Sequence, residues 1–278
     1  GASLYQINLL IGTILASLLS EGAVSYLYYA DRVTQLPLGV VGVAVGTALL
    51  PMLSRSIKAG DAQGALHSQN RGLEFALLLA LPAAIALMVI AEPIISVLFE
   101  RGRFDAAAAL ATAHALAAFS VGLPAYVLIR VLAPGFFARE DTVTPVRIAA
   151  VAMAANVALN VILMQFWAHV GIALASSLAA WINAGLLWII LRRRGFLVLD
   201  ARLATRLPRI LLAACLMAGV LAIGRSLLEG PLGGAMLMRI GALALLVTGG
   251  LAAFVAFARM TGAFSFSDIK TLRRDGSA

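Results

Sequence analysis

One charged cluster interrupts a long apolar stretch near the start of the chain. Segment 28–39 reads YYADRVTQLPLG and places Asp31 and Arg32 between two hydrophobic runs. A charged side chain inside a bilayer costs at least about 3 kcal/mol, so such residues face a water-filled cavity or a partner. This pair is therefore the first indication of a functional site.

Polar or small residues recur around this pair at intervals of 3, 4, 3 and 4: Ser25, Tyr28, Arg32, Gln35 and Gly39. On a helix this spacing puts them on one face. A guanidinium carries five donors in a planar fork, which suits bidentate binding of phosphate or carboxylate. The stripe predicts the wall of an aqueous cavity that receives an anionic substrate. The structural alternative is an ion pair between Arg32 and Asp31, or an acid on another helix.

Two further polar sets lie inside apolar stretches. Arg130 either snorkels to the membrane interface or makes a second anion contact. Asn156 and Asn160 are i, i+4 neighbours, and with Ser176 they offer oxygen ligands to a monovalent cation. Hydrogen bonding between helices is the alternative use of these side chains. The 3 histidines are scattered, and no metal-ligand spacing or enzyme motif is present, so we predict no metal site and no catalytic residue.

Composition identifies an integral membrane protein. Hydrophobic residues make up 62% of the chain and charged residues 12%, whereas soluble domains carry about 25% charged residues. The net charge of +8 would suit a nucleic-acid binder, but the basic residues lie between apolar spans instead of along one soluble face. That distribution excludes nucleic acid as a partner. Cys215 is the single cysteine, so no intramolecular disulfide forms.

Eight stretches are long and apolar enough to cross a bilayer, which takes about 20 residues. They cover 2–20, 24–52, 73–98, 107–133, 145–166, 170–191, 208–226 and 236–258. We therefore predict an all-α polytopic membrane helix bundle of about eight transmembrane helices. The second and fourth stretches contain Pro37 and Pro124. Because proline kinks a helix, these two are predicted to bend and line a cavity.

Loop charges predict the topology. Most of the 21 basic residues fall in loops on one side of the predicted spans, and the positive-inside rule then places both termini in the cytoplasm. We expect a lobe of six helices over 1–192, a cytoplasmic basic connector over 193–207, a two-helix hairpin over 208–259 and a cytoplasmic tail over 260–278.

Three segments resemble the MurJ/MviN family of lipid II flippases, within the multidrug/oligosaccharidyl-lipid/polysaccharide exporter superfamily. They are 25–51 (SYLYYADRVTQLPLGVVGVAVGTALLP), 98–105 (LFERGRFD) and 131–147 (VLAPGFFAREDTVTPVR). The first is the most specific. Family members have fourteen spans, so the resemblance implies that these eight are spans seven to fourteen, and that an N-terminal lobe is missing.

The resemblance implies translocation of lipid II, the undecaprenyl-diphosphate-linked precursor of peptidoglycan, across the bacterial inner membrane. Two rocking lobes would give alternating access. The implied partners are lipid II, membrane lipids and the missing N-terminal lobe. The family pattern implicates Arg32, with Asp31 and Ser25 nearby, and it assigns the C-terminal hairpin a groove for the lipid tail.

Some members of this family bind sodium through acidic residues in the first and fifth of these spans. The matching positions here hold Gly12 and Asn160, while Asn156 and Ser176 remain compatible. Loss of two carboxylates removes the charge that would offset a dehydrated cation. We therefore expect no cofactor, and we expect the driving force to be the membrane potential or protons.

Three other functions stay open at this point. A flippase for another lipid-linked oligosaccharide, or a drug exporter, would use the same fold, although drug exporters usually have twelve spans and lack the hairpin 208–258. A non-transporting membrane scaffold would have no accessible cavity and would tolerate Arg32→Ala. A membrane enzyme acting on lipid-linked sugars would need a carboxylate or histidine cluster at the membrane face, which the sequence does not show.

Overall fold

The computed structural model describes residues 11–19 and 21–263, and this part of the chain is an all-α bundle, as predicted. Its helices are α1, described over 11–17, α2 (Ala23–Lys58), α3 (Ala62–Val89), α4 (Ala91–Phe99), α5 (Ala106–Phe137), α6 (Val143–Arg193), α7 (Ala201–Leu227), α8 (Glu229–Leu232) and α9 (Met236–Met260). Within the described ranges, α3, α5, α6, α7 and α9 are long and apolar enough to cross a membrane. The protein is therefore a multi-pass membrane protein.

Helix α6 is a pair of antiparallel segments. Its backbone leaves helical geometry near the middle, where Ala168 adopts φ 47°. Asn156 Nδ2 lies 3.5 Å from Ser176 Oγ, twenty positions further along the chain, whereas a straight helix would separate them by about 30 Å. The chain therefore turns back on itself, in agreement with separate predicted spans over 145–166 and 170–191.

The bounds 73–98 predicted for the third span are wrong, because the structure divides this stretch into two helices. Helix α3 begins earlier, at Ala62, and ends at Val89. Pro93 accounts for the end, since a proline ring clashes with the carbonyl four residues before it and has no N–H to donate. Helix α4 then restarts at Ala91 with Pro93 in its first turn, where proline is tolerated.

The start of the C-terminal hairpin also differs from the prediction. Helix α7 begins at Ala201, inside the range 193–207 expected to be a connector, so the predicted start at 208 is too late. Asp200 sets the boundary because its carboxylate accepts a hydrogen bond from the Leu203 N–H at 2.7 Å, as an N-cap does. The division of the chain into a lobe and a hairpin stays a prediction.

Two predicted elements lie largely outside the described residues: the first span over 2–20 and the tail over 260–278. Helix α2 covers the second predicted span but is not among the five helices that meet the length and composition criteria. The count of eight spans and the cytoplasmic placement of the termini therefore remain predictions.

Helix α5 lies at the centre of the bundle and packs against α2, α3, α4 and α6. Small residues permit its close approach to α6: a Cβ added to Gly122 would lie 2.7 Å from the Cα of Ser177. The hydroxyl of Ser177 donates to the Ala118 carbonyl of α5 at 2.7 Å. This tight seam holds α6 in place beside α2, and these three helices form the walls of the site.

Candidate functional site: a polar cavity and an apolar groove

A polar cavity of about 390 Å³ lies where α1, α2, α5 and α6 meet. Its lining includes Gly12 and Thr13 of α1, Tyr28, Asp31, Arg32 and Gln35 of α2, Phe119 and Tyr126 of α5, and Ile172 and Ser176 of α6. The helical register of α2 explains the convergence, because Tyr28, Arg32 and Gln35 share one face. Four of the predicted substrate contacts are thus brought together by one helix.

Arg32 is exposed to this cavity and is held only lightly. Its Nη1 lies 3.4 Å from the Gln35 Oε1, and its guanidinium carbon lies 4.9 Å from the centre of the Tyr28 ring. Gln35 in turn donates from Nε2 to the Asp31 Oδ2. Within the described residues Arg32 has no ion pair, so the structural alternative of a salt bridge with Asp31 or another acid is not what the structure shows. Most of its donors remain available to a ligand.

The two other predicted substrate residues lie outside the cavity lining. Ser25 is exposed on the first turns of α2. Arg130 donates from Nη1 to the Leu38 carbonyl of α2 at 3.1 Å. Gly42 makes this approach feasible, because a Cβ there would lie 1.8 Å from the Arg130 Nη1. Arg130 therefore lies against α2 beyond Gln35, on the continuation of the polar stripe.

The residues proposed as cation ligands also come together, on facing halves of α6. Asn160 Nδ2 donates to Asn156 Oδ1 at 2.8 Å, and Asn156 Nδ2 lies 3.5 Å from Ser176 Oγ. The hydroxyl of Tyr126 donates to the Ser176 carbonyl at 3.2 Å and links this group to the cavity. One oxygen, Asn160 Oδ1, is buried without a hydrogen-bond partner in the described structure. The visible role of these amides is to cross-link the two halves of α6.

This donor set does not fit the sodium site that the resemblance implies. The three side chains contribute no carboxylate, and Gly12, which lines the adjoining cavity, contributes no side chain at all. No group of three or more His, Cys, Asp or Glu residues is found among the residues described. A monovalent cation stripped of water needs compensating charge or several oxygen ligands. Among these three described side chains, only the Asn160 Oδ1 is buried without a hydrogen-bond partner.

An apolar groove of about 500 Å³ lies on the other side of α2, between α3, α7 and α9. Its walls are formed by side chains such as Leu78, Pro82, Met217, Leu221, Leu251 and Phe254. Pro37 of α2 also lines it and lies two positions from the cavity residue Gln35. A single helix thus separates a polar cavity from a groove suited to hydrocarbon.

Sequence reasoning missed a buried ionic cluster between α3 and α7. Glu74, with 9% of its side chain exposed, pairs with Arg71, Arg202 and Arg206. Arg71 also pairs with Asp200. The i, i+3 spacing of Arg71 and Glu74 was a visible signal, but the partners in α7 lie more than a hundred positions away. The cluster joins α7 to α3.

Comparison with known proteins identifies the family. A family model described as "Lipid II flippase MurJ" matches residues 1–242. The chain belongs to the lipid II flippase MurJ family. Relatives named "Probable lipid II flippase MurJ" from Rhizobium meliloti (strain 1021) and Rhizobium tropici are 47% and 46% identical over 98% and 97% of this chain. These alignments cover 51% and 50% of the relatives, so the chain spans about half the length of the curated MurJ proteins it matches.

Solved structures show the same fold. A structure described as "Lipid II flippase MurJ, inward closed conformation" matches with a TM-score of 0.77 at 24% identity, covering 92% of this chain and 51% of that chain. An outward-facing multidrug resistance MATE family transporter of the MOP superfamily matches with a TM-score of 0.61 at 17% identity, covering 94% and 61%. The bundle is therefore an architecture shared by MurJ and drug exporters, and the likeness alone does not separate their substrates.

Proposed function

We propose that this chain is the C-terminal half of a flippase that moves lipid II from the inner to the outer leaflet of the bacterial inner membrane. Family membership and the names of the relatives support the substrate and the compartment. The observation that carries the proposal is Arg32, a guanidinium with no ion pair among the described residues that opens into a polar cavity between apolar helices. That the chain is not an enzyme stays a prediction.

The diphosphate of lipid II is the chemical match for Arg32. A guanidinium binds phosphate oxygens through two parallel hydrogen bonds, and a hydrogen bond to a charged group contributes about 1.5–3 kcal/mol. Tyr28, Asp31 and Gln35 add hydroxyl, carboxylate and amide groups for the sugar and peptide portions. Such contacts replace water along the path, which avoids moving bare sugars through hydrocarbon.

Arg130 supplies a second anion contact in this proposal. It lies beside Gly42, ten positions beyond Arg32 on α2, which corresponds to about 15 Å along the helix. A diphosphate moving along the stripe would meet one guanidinium and then the other. Ser25, at the opposite end of the stripe, would offer a hydroxyl to the departing headgroup.

The apolar groove between α3, α7 and α9 fits the lipid tail of the same substrate. Its walls present only hydrophobic side chains, so an undecaprenyl chain would exchange one apolar environment for another while its headgroup crosses the cavity. The neutral donor set around Asn160 supports the membrane potential or protons as the driving force, without a bound sodium ion.

Complementation tests this proposal. A chimera joins this chain to the half of the Rhizobium meliloti relative that it does not span, and it is expressed in bacteria depleted of their own lipid II flippase. The unmodified chimera should restore growth, and Arg32→Ala should fail at equal membrane abundance. Arg103→Ala, an arginine exposed in the loop between α4 and α5, is the matched control and should rescue.

The outcomes separate the alternatives. Rescue by Arg32→Ala would show that the guanidinium is not a substrate contact. Failure of the unmodified chimera despite normal insertion, combined with rescue of a strain lacking a flippase for another lipid-linked oligosaccharide, would favour that substrate. A non-transporting scaffold already fits poorly, because it was expected to lack the accessible cavity that lies beside α2.

A further inference from the structure

A second apolar groove borders the first half of α7, whereas Met217 and Leu221 in the second half line the groove assigned to the substrate tail. It encloses about 490 Å³ between α3, α5, α6 and α7, and its lining includes Leu77, Leu128, Trp181, Trp188 and Leu207. A volume of this size accommodates a small-molecule ligand. Its lining carries no charged side chain, so the occupant must be hydrocarbon where it lies inside the groove.

One face of α6 forms the distinctive wall of this groove. Trp181, Gly185, Trp188 and Arg192 follow at intervals of 4, 3 and 4 and therefore share a helical face; we call them the tryptophan face. A Cβ added to Gly185 would meet no atom within 4 Å, so the position between the two indoles is recessed. The recess is the shape that a linear chain fills.

The two indole N–H groups differ in a way that points to a ligand. Trp181 donates from Nε1 to the Val121 carbonyl at 3.0 Å. The N–H of Trp188 has no hydrogen-bond partner in the described part of the chain. A tryptophan at a membrane boundary usually satisfies its N–H, and the ester carbonyl of a lipid is an acceptor at that depth.

A positively charged side chain, Arg192, follows one helical turn after Trp188. Arg192 is exposed, lies on the tryptophan face and forms no ion pair with any residue that the structure describes. Its neighbour Arg194 is instead neutralised by Asp141, with Nη1 and Oδ2 2.6 Å apart. An unpaired cation one helical turn beyond an apolar groove between transmembrane helices suits the binding of a lipid headgroup whose acyl chain occupies the groove.

We propose that this groove binds an anionic phospholipid, with one acyl chain between Trp181 and Trp188, an ester carbonyl on the Trp188 N–H, and the phosphate on Arg192. The occupant is a structural lipid of the surrounding membrane, distinct from the transported lipid. It would be wedged between α7 and α6 and would hold these two helices together, while the Glu74 cluster joins α7 to α3.

Tryptophan fluorescence tests the proposal, because the chain contains 3 tryptophans. The protein is placed in phosphatidylcholine nanodiscs with increasing fractions of phosphatidylglycerol whose acyl chains are brominated, so that bound chains quench the indoles. A basic residue at the surface contributes about 1 kcal/mol toward an anionic lipid. Brominated phosphatidylglycerol should therefore reach half-maximal quenching at a roughly five-fold lower fraction than brominated phosphatidylcholine.

Matched variants decide the assignment. Arg192→Gln should abolish the five-fold preference, while Arg193→Gln, rotated by about 100° on the same helix, should keep it. Gly185→Leu should weaken quenching by both lipids, and Gly241→Leu, equally open but on α9, should not. Equal quenching by the two lipids in the unmodified protein, or equal behaviour of the two arginine variants, overturns the proposal. Displacement of the brominated lipid by undecaprenyl phosphate also overturns it, because the groove would then belong to the substrate.

Discussion

Replacing Glu74 with glutamine tests how strongly α7 is held against α3. The change keeps the shape of the side chain and removes the one negative charge that Arg71, Arg202 and Arg206 share. Breaking a fully buried ion pair costs about 3–5 kcal/mol. Because the side chains of these arginines are 16–43% exposed and can turn to water, we expect a loss of about 2–3 kcal/mol.

The assay is thermal unfolding of the purified protein in detergent, and the control is the same substitution at Glu92 of α4, which pairs with Arg225 near the other end of α7. One kcal/mol shifts the midpoint of a chain of this size by about 2–4 °C, so Glu74→Gln should lower it by roughly 5–10 °C. Glu92 also joins the lobe to α7, through Arg225, but the side chains are 47% and 41% exposed. Exposed pairs contribute at most about 1 kcal/mol, so Glu92→Gln should shift the midpoint by no more than about 3 °C.

Equal shifts in the two variants would refute the reasoning, because burial would then not determine the strength of the contact. A double variant provides a second check. Arg206→Met removes the ion pair with Glu74 in the unmodified protein, so it should cost less stability in the Glu74→Gln background, where that pair is already lost. If the double variant is less stable than Glu74→Gln by the full cost of a single Arg206→Met, the two residues are not coupled.

Two further predictions concern stability. Gly122→Ala should cost about 1–3 kcal/mol, because its Cβ would lie 2.7 Å from the Ser177 backbone and α5 and α6 would have to separate; Gly241→Ala, which meets no atom, should be neutral in the same thermal assay. Hydrogen bonds from Thr144, together with Arg194, lower the pKa of Asp141 to about 2 from its usual 3.8. A lowered folded-state pKa stabilises above the ordinary value, so this contribution should vanish as the pH falls from about 4 to 2. The midpoint difference between the unmodified protein and Asp141→Asn should close over that range, and a constant difference would contradict the assignment.

Much of the fold could be predicted because the bilayer imposes local rules on the sequence. Each span must satisfy its own backbone hydrogen bonds and present apolar side chains, so hydropathy alone located the helices that became α5, α7 and α9. The errors arose where a local signal was overlooked. Pro93 ends α3 at Val89, and Asp200 starts α7 early, and both effects follow from backbone chemistry that hydropathy does not measure.

One part of the candidate site could be predicted from the sequence, and another part could not. Tyr28, Arg32 and Gln35 were grouped from their spacing alone, because residues on one helix keep their relative positions in any fold. The sequence could not show that Arg32 lacks an ion pair among the described residues, because its chain neighbour Asp31 was an obvious candidate partner. In the structure the Asp31 carboxylate instead accepts a hydrogen bond from Gln35.

The sequence by itself determined the membrane class, the polar stripe of α2 and the family, because each depends on residues close together in the chain. Tertiary structure alone decided which distant groups meet. Asn156 reaches Ser176 only because α6 turns back at Ala168, and Glu74 meets Arg202 only because α7 packs on α3. Such contacts depend on how whole helices pack, and helix packing is set by the combined shape of many side chains, which no short pattern encodes.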